Sequence, residues 1–66
     1  MRMNLKLFRT AKNLSQTEMA KKMGVSYVTY SRIELGKRDG DLKFWNKLKE
    51  TFALDVETWH SLMITE

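Results

Sequence analysis

Apolar residues recur at helical spacings in five segments of the chain, and β-branched residues nowhere run in the strict alternation of a half-buried strand. Leu5, Phe8 and Lys12 repeat at steps of three and four, with Ala11 beside them, and predict a first helix that ends near Asn13. Ser15 followed by Glu18 three residues later is a capping box, so a second helix runs from about Gln16 to Met23. Met19, Ala20 and Met23 face inward there, and Gly24 ends it by taking the left-handed conformation. Ser26 caps a third helix from about Tyr27 to Leu35, closed before Gly36. Two short helices joined by so brief a turn must diverge sharply. Asp41 caps a fourth in which Leu42, Trp45, Leu48 and Phe52 form the buried stripe, and Asp55 caps a fifth with Val56, Trp59, Leu62 and Met63. The expectation is an all-α, compact five-helix unit.

Composition narrows the class. With 66 residues there is material for one hydrophobic core, so residues 1–66 are expected to be a single domain. Proline and cysteine are absent, which excludes disulfides and thiolate metal sites and leaves three glycines as the punctuation. No apolar run approaches a membrane span, and Arg2, Asn4 and Lys6 interrupt the start too often for a signal-peptide core. The expected compartment is the cytoplasm, with no membrane partner. The net charge of +4 is unevenly spread: Met1 to Arg38 holds nine basic residues against two acidic ones, net +7, whereas Asp39 to Glu66 holds three lysines against six acids, net −3. A basic pole of this kind suits a polyanion.

The segment from Leu14 to Arg38, LSQTEMAKKMGVSYVTYSRIELGKR, has a spacing with a physical reason at each fixed position. Ala20 suits a close helix crossing, Gly24 the turn, Val25 the angle between the helices and Ile33 the anchor of the third helix, whose remaining positions then point outward. This segment resembles the helix-turn-helix of the phage-repressor-like family, the XRE or Cro/cI type. The likeness extends over Leu5 to Asn13 and Asp41 to Met63. It implies a lambda-repressor-like DNA-binding domain with the helix-turn-helix at helices two and three. Two positions depart from the pattern. Gly40 stands where proline is frequent, which suggests a more mobile loop, and Lys49 stands where a small core residue is usual, which requires its stem to be buried and its ammonium wet.

Carried over position by position, the resemblance makes Tyr27, Val28 and Arg32 the base-reading residues. Helix geometry agrees for Val28 and Arg32, four apart on one face. Arg32 suits a bidentate contact with guanine, Val28 a thymine methyl, and Tyr27 either the sugar-phosphate edge or packing on the second helix. The phosphate-contacting set is Gln16, Ser26, Thr29, Lys37 and Arg38. Gln16 lies at a helix start, where free amides and the dipole favour a phosphate; plain capping is its alternative, and in relatives it braces the recognition helix. The resemblance also implies a half-buried ion pair between Arg9 and Glu34, and places Tyr30 inward with its hydroxyl reaching the surface.

Enzyme chemistry has no footing: His60 is the sole histidine, and no metal-ligand cluster, P-loop or glycine-rich phosphate loop occurs. Asp39 and Asp41 read as loop and cap residues. No cofactor is expected, and no small-molecule ligand, because the effector domain of longer repressors does not follow. The sequence reads as a short phage or prophage regulator of Cro/cI type that occupies a double-stranded DNA operator as a homodimer, with Leu62, Met63 and Ile64 either capping their own core or meeting a symmetry mate. The competing class is a protein-interaction module, such as an antitoxin-like adaptor, since tyrosine and arginine also make protein hot spots.

Overall fold

In a computed structural model that describes residues 1–65, the chain forms five α-helices: α1 (Met3–Ala11), α2 (Gln16–Met23), α3 (Tyr27–Glu34), α4 (Leu42–Phe52) and α5 (Val56–Met63), with no strand among the described residues. Four of the five starts are fixed by side chains. Ser15, Ser26, Asp41 and Asp55 each accept the backbone N–H three residues on, from Glu18, Thr29, Phe44 and Thr58. At α2 the box is closed by Glu18, whose carboxylate accepts the Ser15 N–H at 2.9 Å. Gly24 ends α2 at φ +69°, as its place in the sequence requires. α1 has no side-chain cap and stops at Ala11, two residues short of expectation, because Asn13 enters the left-handed region at φ 58° and turns the chain.

Leu5, Met19, Ala20, Met23, Tyr30, Ile33, Phe44, Trp45, Leu48 and Leu62 form the buried core. Phe8, Leu14, Val25, Phe52, Leu54, Trp59 and Met63 pack around it. α2 packs on α3 and α4, and α1 on α5 and α3. The Trp59 indole donates to the Trp45 carbonyl at 2.8 Å and ties α5 to α4, while the Asn4 amide donates to the Ser61 carbonyl at 3.1 Å and ties α1 to α5.

Two stripes depart from the sequence reading. Leu42 is 71% exposed and Val56 52% exposed. Each begins a run of two successive steps of three residues, and at 100° per residue such a run carries the first member about 120° from the third. Leu42 and Val56 therefore fall off the faces that Leu48 and Leu62 define, and Phe44 takes the core position in α4. Lys49 resolves as its chemistry demands: the residue is half-buried and its ammonium lies 4.9 Å from the centre of the Trp59 ring.

The loop before α4 is held rather than loose. Gly40 adopts φ +76°, and a Cβ there would lie 2.9 Å from Trp45 Nε1, so neither proline nor another side chain fits this backbone. The same indole nitrogen donates to the Asp39 carbonyl at 3.1 Å.

Candidate nucleic-acid interface

α3 is divided lengthwise. Tyr30, Ile33 and Glu34 are buried, and the opposite side presents Tyr27, at 50% exposure, Val28, at 53%, and the exposed Arg32. Single exposed apolar residues are common on a protein surface, as Leu7, Leu42 and Val56 show here; what sets this side of α3 apart is that Tyr27, Val28 and Arg32 lie together on it, opposite the buried side. Helix periodicity puts Val28 and Arg32 on one face, one turn apart, with Tyr27 beside Val28 at the amino end.

The buried side of α3 is anchored by one carboxylate. Glu34 accepts both the Arg9 Nε–H at 2.9 Å and the Arg9 Nη2–H at 3.0 Å, a bidentate pair of the kind the resemblance implies. It also accepts the Tyr30 hydroxyl at 2.6 Å and the Gln16 amide at 3.2 Å. Arg9 Nη1 reaches further, to the Leu14 carbonyl at 2.8 Å, so α1, α2 and α3 are joined through this cluster. Burial by itself would raise the Glu34 pKa, but the hydrogen bonds from Arg9, Tyr30 and Gln16 outweigh it and hold the carboxyl below its usual range. The bond to Glu34 raises the Arg9 pKa, and burial followed by the same carboxylate pushes the Tyr30 phenol well above its ordinary value. The expectation that the Tyr30 hydroxyl reaches the surface is therefore wrong: the whole residue is buried, because Glu34 offers its proton a partner inside.

The residues expected near phosphate occupy the ends of α2 and α3. Gln16 opens α2, where Ser15 supplies the cap, and its side chain is half-buried against Glu34. That contact braces α3 against α2, as the resemblance implies. Ser26 accepts the Thr29 N–H at 3.1 Å and donates its own proton to Thr29 Oγ1 at 2.8 Å, which leaves the Thr29 hydroxyl proton as the available donor of the two. The side chains of Lys37 and Arg38 are exposed, while the Lys37 N–H closes α3 by donating to the Arg32 carbonyl at 2.9 Å.

Three basic residues have places that the sequence did not disclose. Lys43 and Lys47, one turn apart on α4, line a cleft of about 280 Å³ with Gly24, Val25, Ser26, Thr29, Asp41 and Phe44, beside the amino end of α3. Their four-residue spacing was the available signal. Arg2 is only 5% exposed and is bonded to carbonyls of α3, the α3–α4 loop and α5. No local pattern marks contacts so distant in sequence. With Arg2, Arg9 and Glu34 inside, the stretch from Met1 to Arg38 still offers seven basic side chains outside the core against Glu18 alone. His60 is exposed and stacks on Trp59 at 5.5 Å between ring centres. Among the described residues no group of side chains is placed to hold a metal ion, and no helix is long and apolar enough to cross a membrane.

Five helices with a capped α2, a left-handed glycine, a short turn and an α3 that is buried on one side and open on the other define a helix-turn-helix protein. The sequence matches the family model described as helix-turn-helix over residues 5–59. It is 42% identical over 57 residues, 86% of each chain, to an uncharacterised helix-turn-helix-type transcriptional regulator of Methanocaldococcus jannaschii. No solved structure matches it at a comparable level. The chain belongs to the helix-turn-helix family of XRE, or Cro/cI, type, a family of DNA-binding regulators.

Proposed function

We propose that the protein is a transcriptional regulator of Cro/cI type that occupies an operator in double-stranded DNA through the major groove. The observation that carries this reading is the division of α3: Tyr30, Ile33 and Glu34 are locked in the core while Tyr27, Val28 and Arg32 stand in solvent. Arg32 reads a guanine through its two acceptors, Val28 lies against a thymine methyl, and Tyr27 adds a contact at the groove edge. Gln16, Ser26, Thr29, Lys37 and Arg38 position the helix on the phosphates. Repression is by occupancy, in the cytoplasm, in the manner of short phage or prophage regulators, and needs no small-molecule ligand.

The working unit on DNA is a homodimer, because one recognition helix touches too few base pairs to select a site in a genome. Leu62 belongs to the molecule's own core, so of the apolar tail only Met63, half-buried, and Ile64, at 54% exposure, are available to a symmetry mate. Retention on immobilised duplex DNA and on heparin over a salt gradient tests the reading against the interaction-module alternative. A DNA-binding regulator is retained on duplex until moderate salt, and a duplex enriched by selection holds it to higher salt than a random duplex or heparin does. Elution from both supports at the same low salt would favour a protein partner for the exposed face of α3.

A further inference from the structure

Three helix termini meet at Arg2. Its backbone N–H donates to the Glu34 carbonyl at 2.8 Å and so joins the start of α1 to the end of α3. Its guanidinium donates to four more carbonyls: Ile33 at 2.7 Å in the last turn of α3, Arg38 at 3.0 Å and Asp39 at 3.3 Å in the loop that follows, and Met63 at 3.0 Å at the end of α5. The group also lies 5.3 Å from the centre of the Trp45 ring in α4. The turn at Gly36 is closed in on the same side, since a Cβ on it would meet the Met1 nitrogen at 3.0 Å and Thr65 Cγ2 at 3.1 Å.

The chemistry suits the place. The last carbonyls of a helix have no partner within it and carry the negative end of its dipole, so a cation with several N–H groups is the natural cap. The planar guanidinium fork can serve several acceptors in a fixed geometry, which the compact ammonium of lysine cannot reproduce. Two of the acceptors, the Arg38 and Asp39 carbonyls, belong to the backbone that carries the proposed phosphate contacts. With those carbonyls bonded inward, Lys37 and Arg38 themselves remain exposed.

We propose that Arg2 is a positioning residue of the DNA-binding face: it fixes residues 36–39 against the end of α3, so that the Lys37 and Arg38 charges meet the backbone phosphates while α3 lies in the groove. This rests on the DNA-binding reading above. It makes Arg2 matter for binding without its touching DNA, and it ties the geometry of that face to the end of α5.

The test compares the wild type with Arg2→Met, Arg2→Lys and Leu62→Val, the last a core change on α5 that serves as the stability control. Each is measured for affinity to a fixed random-sequence duplex over a range of salt, at a temperature where circular dichroism reports it folded, and for amide exchange of residues 36–39 without DNA. Arg2→Met is expected to lower the slope of log affinity against log salt by about one to two units, the equivalent of one or two lost phosphate contacts, and to speed exchange in residues 36–39. Arg2→Lys falls between it and the wild type, and Leu62→Val keeps the wild-type slope. If Arg2→Met does not fold, Arg2→Lys decides by the same two readouts. A folded Arg2 variant with wild-type slope and wild-type exchange overturns the proposal, as does an equal loss of slope in Leu62→Val. Failure of the wild type to bind duplex sinks the DNA reading instead; amide exchange then decides separately, and unchanged exchange at 36–39 rejects the holding role of Arg2.

Discussion

Glu34 is the residue on which the position of α3 turns. It is fully buried and accepts hydrogen bonds from Arg9, Tyr30 and Gln16, so removing its charge leaves a buried guanidinium without its anion. Glu34→Gln is expected to lower stability by about 3 to 5 kcal/mol at neutral pH, measured by urea denaturation. Because the folded carboxyl titrates below its ordinary value, its contribution is complete above the unfolded pKa of about 4.3 and disappears as pH falls through the folded pKa. The gap between wild type and Glu34→Gln should therefore narrow in acid, and a gap that stays constant down to the acid limit would mean that the charge contributes nothing. Arg32 stands on the other side of the same helix. Arg32→Ala should cost about 1 to 3 kcal/mol at the selected site and flatten the preference at one base position, with stability unchanged. An unaltered base preference in that variant would remove Arg32 from the reading set.

At the scale of elements, the starts of α2 to α5 were legible in the sequence because a cap is a local device: Ser15, Ser26, Asp41 and Asp55 each bond an N–H three residues away. The start and end of α1 were less so, since Arg2 bonds to partners 31 to 61 positions away and Asn13 turns the chain early. The stripes of α4 and α5 were half legible; steps of three drift round the helix, and only packing shows which member drops off. Tyr30 belongs to the same class of miss, because the partner of a buried hydroxyl is a tertiary matter. Gly40 was seen as a departure, but its reason is a contact with Trp45 that spacing does not show. Gly40→Ala forces an alanine into the left-handed region and against the indole, and should lower stability by about 2 kcal/mol by thermal or urea unfolding. A neutral substitution would show that the loop has room to move. In the segment after α3, Lys37→Ala or Arg38→Ala should weaken selected and random DNA nearly equally and lower the salt slope by about one unit each. A loss confined to the selected sequence would make the residue a base contact.

At the scale of the molecule, the charge split decides what the five helices present. The family and its fold were legible from a 25-residue segment, because helix crossing, turn and anchor each need a particular side chain at a fixed offset. The set of residues that meets DNA is a property of the exposed surface, which tolerates many side chains and leaves little pattern in a single sequence. The dimer proposed above would place two copies of α3 about 34 Å apart, one turn of the duplex, and its preferred site would then carry two-fold symmetry. Selection of bound duplexes from a random library, followed by footprinting on the enriched sequence, tests the central claim most directly. The account predicts an enriched two-fold symmetric site with half-site centres about 10 base pairs apart, and loss of one base preference in each half with Arg32→Ala. A library that emerges without an enriched sequence, or a preference that survives replacement of Tyr27, Val28 and Arg32 together, would contradict it.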